Sequence, residues 1–317
     1  MTWLVFASLT AFFEACKDAT GKQSLKTLDE YSVLFSFMAI GVVLMLPLLL
    51  VSGVPDIQPG FWLAISIGGS RNILAFTLYV RALKLADLSL TVPLVTLTPL
   101  FLLVTSPILV QEWPTGADVF GVLLLVIGAY VLNLPPSSAQ TRPPLWTLLT
   151  WTPLSMMAKN QGSRLMLCVA FIWSITSNFD KIGGVNSSPL FWAIALFSVI
   201  AAGMVPFVFW LAVFRPSVFR ADYKVPDSAT KGSHLGLTPL LKQWRLLGIT
   251  GAFNAIAITF QMVALTLAPV AQVIAVKRMS ALISVLFGHF FFKEKELKAR
   301  LIGAAIMVSG VVMMSLR

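Results

Sequence analysis

The chain contains one stretch twice. Residues 62 to 134 can be laid without a gap over residues 244 to 316, matching at Trp62/Trp244, Gly69/Gly251, Asn72/Asn254, Glu112/Glu294, Gly121/Gly303 and Gly128/Gly310. An internal repeat in an apolar chain marks carriers whose binding site lies between two copies of one membrane unit, so it constrains function as well as fold. The chain is apolar enough for that reading. Hydrophobic residues make up 57% and charged residues 11%, and the mean hydropathy of +0.87 lies outside the range of soluble domains.

A spanning helix needs about 20 mostly apolar residues to cross a hydrocarbon core of roughly 30 Å. Cut on that length, the sequence predicts ten spans: 2 to 20, 31 to 52, 60 to 82, 88 to 110 and 117 to 135, then 164 to 182, 189 to 214, 245 to 264, 268 to 291 and 299 to 316. Five spans per copy is an odd number, so the second copy enters the membrane from the side opposite the first. The expected fold is therefore an all-α integral membrane protein with ten transmembrane helices in two inverted five-helix repeats. The first repeat occupies 1–135, a linker 136–163, and the second repeat 164–317. The stretch from Leu145 to Met157 suits either a short segment lying in the headgroup layer or an irregular loop.

Charge sets the orientation. The connections after spans one, three, five, seven and nine hold about eighteen lysines and arginines, against about two on the other side. The richer side should be cytoplasmic, which puts both termini outside the cytoplasm and the chain in the plasma (inner) membrane. The net charge of +10 is then met by anionic inner-leaflet lipid and needs no nucleic acid. Expected partners are a small-molecule substrate and membrane lipid, with the protein a monomer or weak homodimer. The first span has no basic region before it and carries Glu14, so it does not read as a cleaved signal. Cys16 and Cys168 fall inside spans and read as small core residues.

Buried polar residues mark the candidate site. Lys277 is about the tenth residue of its span and thus roughly 15 Å deep, near the midplane, with Arg278 beside it. Each cation at that depth costs at least about 2.5 to 3.5 kcal/mol on insertion scales, so the pair should face a watery cavity, an acidic partner or an anionic substrate. Arg71 and Asn72 lie halfway along span three with Tyr79 two turns on, and Asn254 and Gln261 are the counterparts of Asn72 and Tyr79 in span eight. The two asparagines could equally bond across helices for structure alone. Acidic candidates for charge balance or coupling are Glu14 and Asp18, four apart on one face of span one, and Asp180 near the end of span six. Glu14 could neutralise Lys277 or Arg71, or carry a coupling proton. Lys17, Asp18, Lys22 and Lys181 sit close enough to span ends to snorkel to water. Trp173, Tyr79 and Phe260 could line a cavity or pack as core.

Several of these residues resemble one family. The run Arg81-Ala82-Leu83-Lys84-Leu85-Ala86, matched by Val263-Ala264-Leu265-Thr266-Leu267-Ala268, and the glutamates Glu112 and Glu294 closing spans four and nine resemble EamA-type transporters of the drug/metabolite transporter superfamily. So do Asn178-Phe179-Asp180-Lys181 and the segment from Val276-Lys277-Arg278-Met279-Ser280 through Gly288 to Glu294. The last segment is also similar to the organic-phosphate exchangers of plastids, in which a matching Lys-Arg pair binds the anionic group of the substrate. A further binding lysine of those exchangers falls at Val95 here, so the resemblance does not extend to phosphate specificity. The glycine pairs Gly121/Gly128 and Gly303/Gly310 resemble the association helix of small four-helix members. Seven apart, each pair lies on one face and permits close contact between spans five and ten.

Catalysis has little support in the sequence. The two histidines, His234 and His289, form no metal-ligand or nucleophile-base constellation, and a phosphate-binding glycine loop with its lysine is missing from the sequence. No cofactor is implied. The resemblance implies a secondary carrier for a small organic metabolite with an anionic group; the alternatives are a lipid-linked substrate flippase and a non-transporting receptor or scaffold. Orientation has its own test. A single cysteine introduced between residues 215 and 242 should label from the cytoplasmic face only, and labelling from outside would reverse the assignment.

Overall fold

The computed structural model describes residues 2–24, 30–85, 94–132, 161–214, 243–283 and 297–315. Within them every regular element is a helix. Lipid offers no partners to backbone N–H and C=O groups, and a helix satisfies them within its own segment. The helices are α1 (Thr2–Ser24), α2 (Glu30–Ser52), α3 (Pro59–Ala64), α4 (Ser70–Leu85), α5 (Thr98–Val110), α6 (Gly116–Leu132), α7 (Gln161–Val185), α8 (Pro189–Phe214), α9 (Trp244–Leu267), α10 (Val270–Lys277) and α11 (Leu297–Ser315). Five stretches are long and apolar enough to cross a membrane: Val33–Ser52, Pro59–Tyr79, Gln161–Val185, Pro189–Pro206 and Trp244–Leu267. Shorter apolar helices run over Thr98–Val110, Gly116–Val131 and Ile302–Met314. This is a multi-pass membrane protein. Its outward residues are apolar, with Leu50 84% and Val51 89% exposed, as a lipid-facing surface requires. Cys168 is exposed as well and Cys16 only partly buried, so the expectation of two core cysteines fails for Cys168.

Helix boundaries fall within a few residues of the expected spans, with two informative departures. Span three is one bent element. A five-residue π turn at Ile65–Gly69 joins α3 to α4, and such turns insert an extra residue that re-aims everything beyond them. The matched stretch of the second copy, inside α9, stays α-helical. Spans four and nine depart in the opposite sense, because both are interrupted. The helical residues Leu94 and Val95 give way to a turn at Thr96 and Leu97, and α10 ends in a turn at Arg278 and Met279. In the aligned repeats these are the same two positions.

The two turns also share their bonding. Leu97 N donates to Leu94 O at 3.1 Å and Met279 N to Val276 O at 2.9 Å, while Leu100 N donates to Leu97 O and Leu282 N to Met279 O, both at 3.0 Å. All four are tightened i→i+3 bonds of the 3₁₀ kind. Pro99 does not bend a continuous helix, as its place in span four suggests; it stands in the first turn of α5, where a missing N–H costs nothing. Pro47, Pro107 and Pro206 lie inside their helices, whereas Pro93 lies outside the described residues, as does the stretch 145 to 157.

Packing follows the repeat. α1 lies along α9 and α4 along α7; α5 contacts α7 as α10 contacts α1; α2 crosses both α8 and α9. Exchanging the five spans of one copy for those of the other turns each of the first four contacts into another of the four, and leaves α2–α8, α5–α10 and α6–α11 unchanged. The closest of these is α6 on α11. A Cβ at Gly121 would lie 2.7 Å from Gly310 O, one at Gly128 would lie 2.7 Å from Gly303 O, and one at Gly310 would lie 2.5 Å from Gly121 O. The two glycine pairs thus bring backbones together, as their spacing predicts.

This contact generates a stability prediction. Methyl groups have no room there, so Gly128→Ala should lower stability by about 1–3 kcal/mol, the usual cost of overpacking. Gly248→Ala, where no atom lies within 4 Å of the added carbon, should not. Melting of the detergent-purified variants checks both.

Candidate functional site

Charge gathers where α1, α9 and α10 meet. Glu14 comes from the middle of α1, Gln261 from α9, and Lys277 from the last turn of α10. Lys277 Nζ donates to Gln261 Oε1 at 2.7 Å and lies 3.7 Å from Glu14 Oε1. The same carboxylate oxygen accepts from Lys17 Nζ at 2.6 Å, and Lys17 lies 3.5 Å from Asp18. Glu14 is therefore the node of the network, with two ammonium groups on one oxygen. Lys17 is held in this network and does not snorkel away. The side chains of Glu14, Lys17 and Lys277 keep 16%, 18% and 17% exposure, while Asp18 is 54% exposed. Cations in a packed bundle that retain accessible surface face water or a ligand, the condition set for Lys277 by its depth.

Arg278 lies one residue on and points elsewhere. Its Nη2 donates to Thr98 Oγ1 at 3.1 Å, its guanidinium sits 5.7 Å from the centre of the Trp173 ring, and its Nε is buried without a hydrogen-bond partner among the described residues. The Trp173 ring stands 5.5 Å from Tyr79 and 5.8 Å from Phe76. Thr98 follows the turn in span four, so Arg278 reaches from the break in one copy to the break in the other. The consequence is a site with two unlike sides. Glu14, Gln261 and Lys277 form an ionic side; in the aligned first copy Val95 replaces Lys277 and Tyr79 replaces Gln261, and both pack in an apolar cluster with Ala82, Met166 and Trp173.

The remaining expected site residues are spread more widely. Asn72 and Asn254 are buried, at 5% and 8% exposure, and Asn254 Nδ2 has no partner among the described residues. Arg71 does not join the cluster. Just after the π turn it is exposed, with Nη1 3.4 Å from Ile67 O one turn back on its own helix; of the two cations open as partners of Glu14, Lys277 lies beside it and Arg71 does not. Asp180 is buried and accepts a hydrogen bond from Trp192 Nε1 at 3.2 Å. That indole lies against Gly183, where a Cβ would come within 2.1 Å of it, so this carboxylate is tied to the α7–α8 contact. Phe260 stacks with Phe6 and Phe13 between α1 and α9.

A second polar group lies at one end of the bundle, and the sequence marks its members only as span-end residues. Lys181 is ion-paired with Glu112 and donates also to Ala268 O at 2.8 Å, while Glu112 Oε2 accepts from the backbone N–H of Val270 at 2.8 Å. The expectation that Lys181 snorkels to water fails, because a carboxylate and a helix-end carbonyl are nearer. Beside the pair, a small cavity is lined by Ser106, Glu112, Trp113, Asp118 and Gln272 among others. Asp118 closes it by accepting from Gln272 Nε2 at 2.6 Å and from Thr115 N and Oγ1 at 2.8 and 2.7 Å. The Thr115–Asp118 exchange is a capping box that starts α6. The i, i+3 spacing of Thr115 and Asp118 was the available signal. The reach of Glu112 to Val270, 158 residues away, had none.

The profile of the EamA-like transporter family matches residues 1–134 and again residues 160–316. The chain belongs to the EamA-like transporter family. The two matches account for nearly all of it, so the membership rests on both halves and not on one motif. No curated protein sequence matches the chain. Among solved structures, one crystal structure described only as that of a protein is similar over 99% of this chain and 96% of its own, with a TM-score of 0.72 and 18% identity. That likeness concerns the fold. An EamA-like fold of this kind carries the polar cluster described above as its most charged interior feature among the described residues.

The network predicts unequal couplings. In double-mutant cycles on thermal stability, Glu14 should couple more strongly to Lys17, at 2.6 Å, than to Lys277, at 3.7 Å, with the stronger coupling in the range of about 0.5–3 kcal/mol measured for such networks. Equal couplings, or a stronger one to Lys277, would show that the network is arranged differently in the membrane.

Proposed function

We propose that this EamA-like protein is a secondary carrier for a small organic metabolite with an anionic group, working by alternating access between two inverted five-span repeats. The observation that carries this reading is the incomplete bonding of Arg278, which donates to Thr98 Oγ1 and lies over the Trp173 ring while its buried Nε has no hydrogen-bond partner among the described residues. A cation without a counter-charge inside a bilayer is costly, and an anionic cargo supplies what is missing. Arg278 is the natural contact, since Lys277 is already held by Gln261 and Glu14, while Arg278 Nε lacks a partner among the described residues.

The two unlike sides of the site narrow the cargo. An acidic group near Arg278 would leave the rest of the molecule beside Tyr79, Phe76 and Trp173, so an apolar or planar body fits better than a polyhydroxylated one. Asn72 and Asn254 remain candidate polar contacts, and Asp18 and Asp180 candidate coupling groups. The exchange of packing contacts between the copies, together with the matched interruptions of spans four and nine, supports the rocking of two pseudo-equivalent halves about a shared site. With no ATP-binding loop in the sequence, the energy would come from a gradient or from exchange.

Uptake into liposomes containing the purified protein tests the reading. With a transported organic anion, Arg278→Gln and Lys277→Ala should each reduce uptake at least about tenfold, the scale of a lost charged contact of roughly 1.4 kcal/mol or more. Arg71→Gln should leave uptake near the wild-type rate. Uptake of anions and cations alike, unaffected by Arg278→Gln, would remove the proposal.

A further inference from the structure

We propose that Glu112 and Lys181 are a latch that holds one mouth of the carrier shut, and that its release is required for the site at Lys277 and Arg278 to open toward that side. This rests on the alternating-access reading above. Four helix ends from three separate stretches of the chain meet at this pair. Glu112 follows the C-terminal cap of α5, Lys181 lies in the last turns of α7, Ala268 ends α9 and Val270 begins α10. Two side chains tie all four, through the ion pair, the bond from Lys181 to Ala268 O and the bond from Val270 N to Glu112.

Position makes this a mouth and not a general brace. Along α10 the tie at Val270 is seven residues from Lys277, about 10 Å at 1.5 Å per residue. In the ten-span topology, the connections between spans four and five, six and seven, and eight and nine all emerge on one face, and the latch draws on the ends of each of these spans. The opposite face is the one toward which α1 runs beyond Glu14, and there Asp18 is 54% exposed. The structure is thus tied at the Glu112 end, while on the opposite side the Asp18 side chain stays exposed.

Chemistry suits a contact that opens and closes. Glu112 and Lys181 retain 20% and 19% exposure, so each charge can rehydrate when they part, unlike a fully buried pair, whose separation leaves uncompensated charges. The tie also joins the two copies, since α5 comes from the first and α7, α9 and α10 from the second. Ala271 and Leu102 line the cavity just inside the contact, together with the polar Ser106, Asp118 and Gln272. Once the pair separates, the neutral-donor bond from Gln272 to Asp118 remains beside it, so the ion pair is the charged part of the tie between the copies at that end.

The test measures accessibility and needs no substrate. Two reporters are placed in a background with Cys16 and Cys168 replaced by serine: Ala271→Cys just inside the latch, and Asp18→Cys at the other end. Reaction with a maleimide reads which is exposed to water. Glu112→Gln and Lys181→Gln should each raise the labelling rate at position 271 several-fold and lower it at position 18, because opening one end closes the other. Rates that rise at both positions, or change at neither, in both variants overturn the latch. A liposome experiment without transport would sink the carrier reading, yet leave these reciprocal rates to be judged on their own.

Discussion

A cation inside a bilayer must bring its counter-charge with it. Everything distinctive about the interior of this protein answers that requirement, starting with Glu14, whose one oxygen serves both Lys17 and Lys277. Because the three groups come from α1 and α10, the neutralisation is also a helix–helix contact: α1 is held in register with α10 by charge where the surrounding contacts are apolar. Removing the carboxylate would leave two ammonium groups facing each other, so the site and the packing of the first helix cannot be separated. Gln261 completes the arrangement with a neutral acceptor that holds Lys277 without cancelling its charge.

Much of this is legible in the residues. The spans can be read from lengths of apolar sequence, and the approach of α6 to α11 from glycines spaced by seven, because both follow from local geometry that a sequence states directly. Lys277 and Arg278 stand out by depth alone. Other features are hidden for physical reasons. The π turn at Ile65–Gly69 has no compositional mark, and by shifting the face that follows, it carries Arg71 out of the cluster to which counting along a regular helix assigns it. Lys181 looks like a snorkelling residue because distance to the helix end is visible in sequence and a carboxylate on a distant helix is not, whereas Lys17 is held by Glu14 one turn back on its own helix, a spacing the sequence does show. The Glu112 contacts join residues far apart in the chain, which only the fold can bring together.

Duplication explains both what the copies share and where they part. The shared positions are those that set backbone paths: the glycines at the α6–α11 contact, the asparagines buried in spans three and eight, and the turns that interrupt spans four and nine. Specific chemistry sits in the same geometric place in each copy with opposite character, as Lys277 with Gln261 in one and Val95 with Tyr79 in the other. A two-fold scaffold thereby encloses a polar cluster that is not two-fold, and on the proposed carrier reading a cargo with a charged end and an apolar end would have one preferred orientation within it.

The interruption at Arg278 and Met279 has an electrostatic result of its own. By stopping α10 within the bundle, it creates a helix C-terminus there, and the aligned peptide dipoles of α10 present their negative end to Lys277 in the last turn and Arg278 at the cap. Had span nine run on unbroken, those dipoles would have reached the membrane surface and given the two cations nothing. The turn therefore acts as a fixed, uncharged counter-ion that lowers the cost of keeping positive charge in place, and on the proposed carrier reading it would do so without a carboxylate to compete with an anionic cargo.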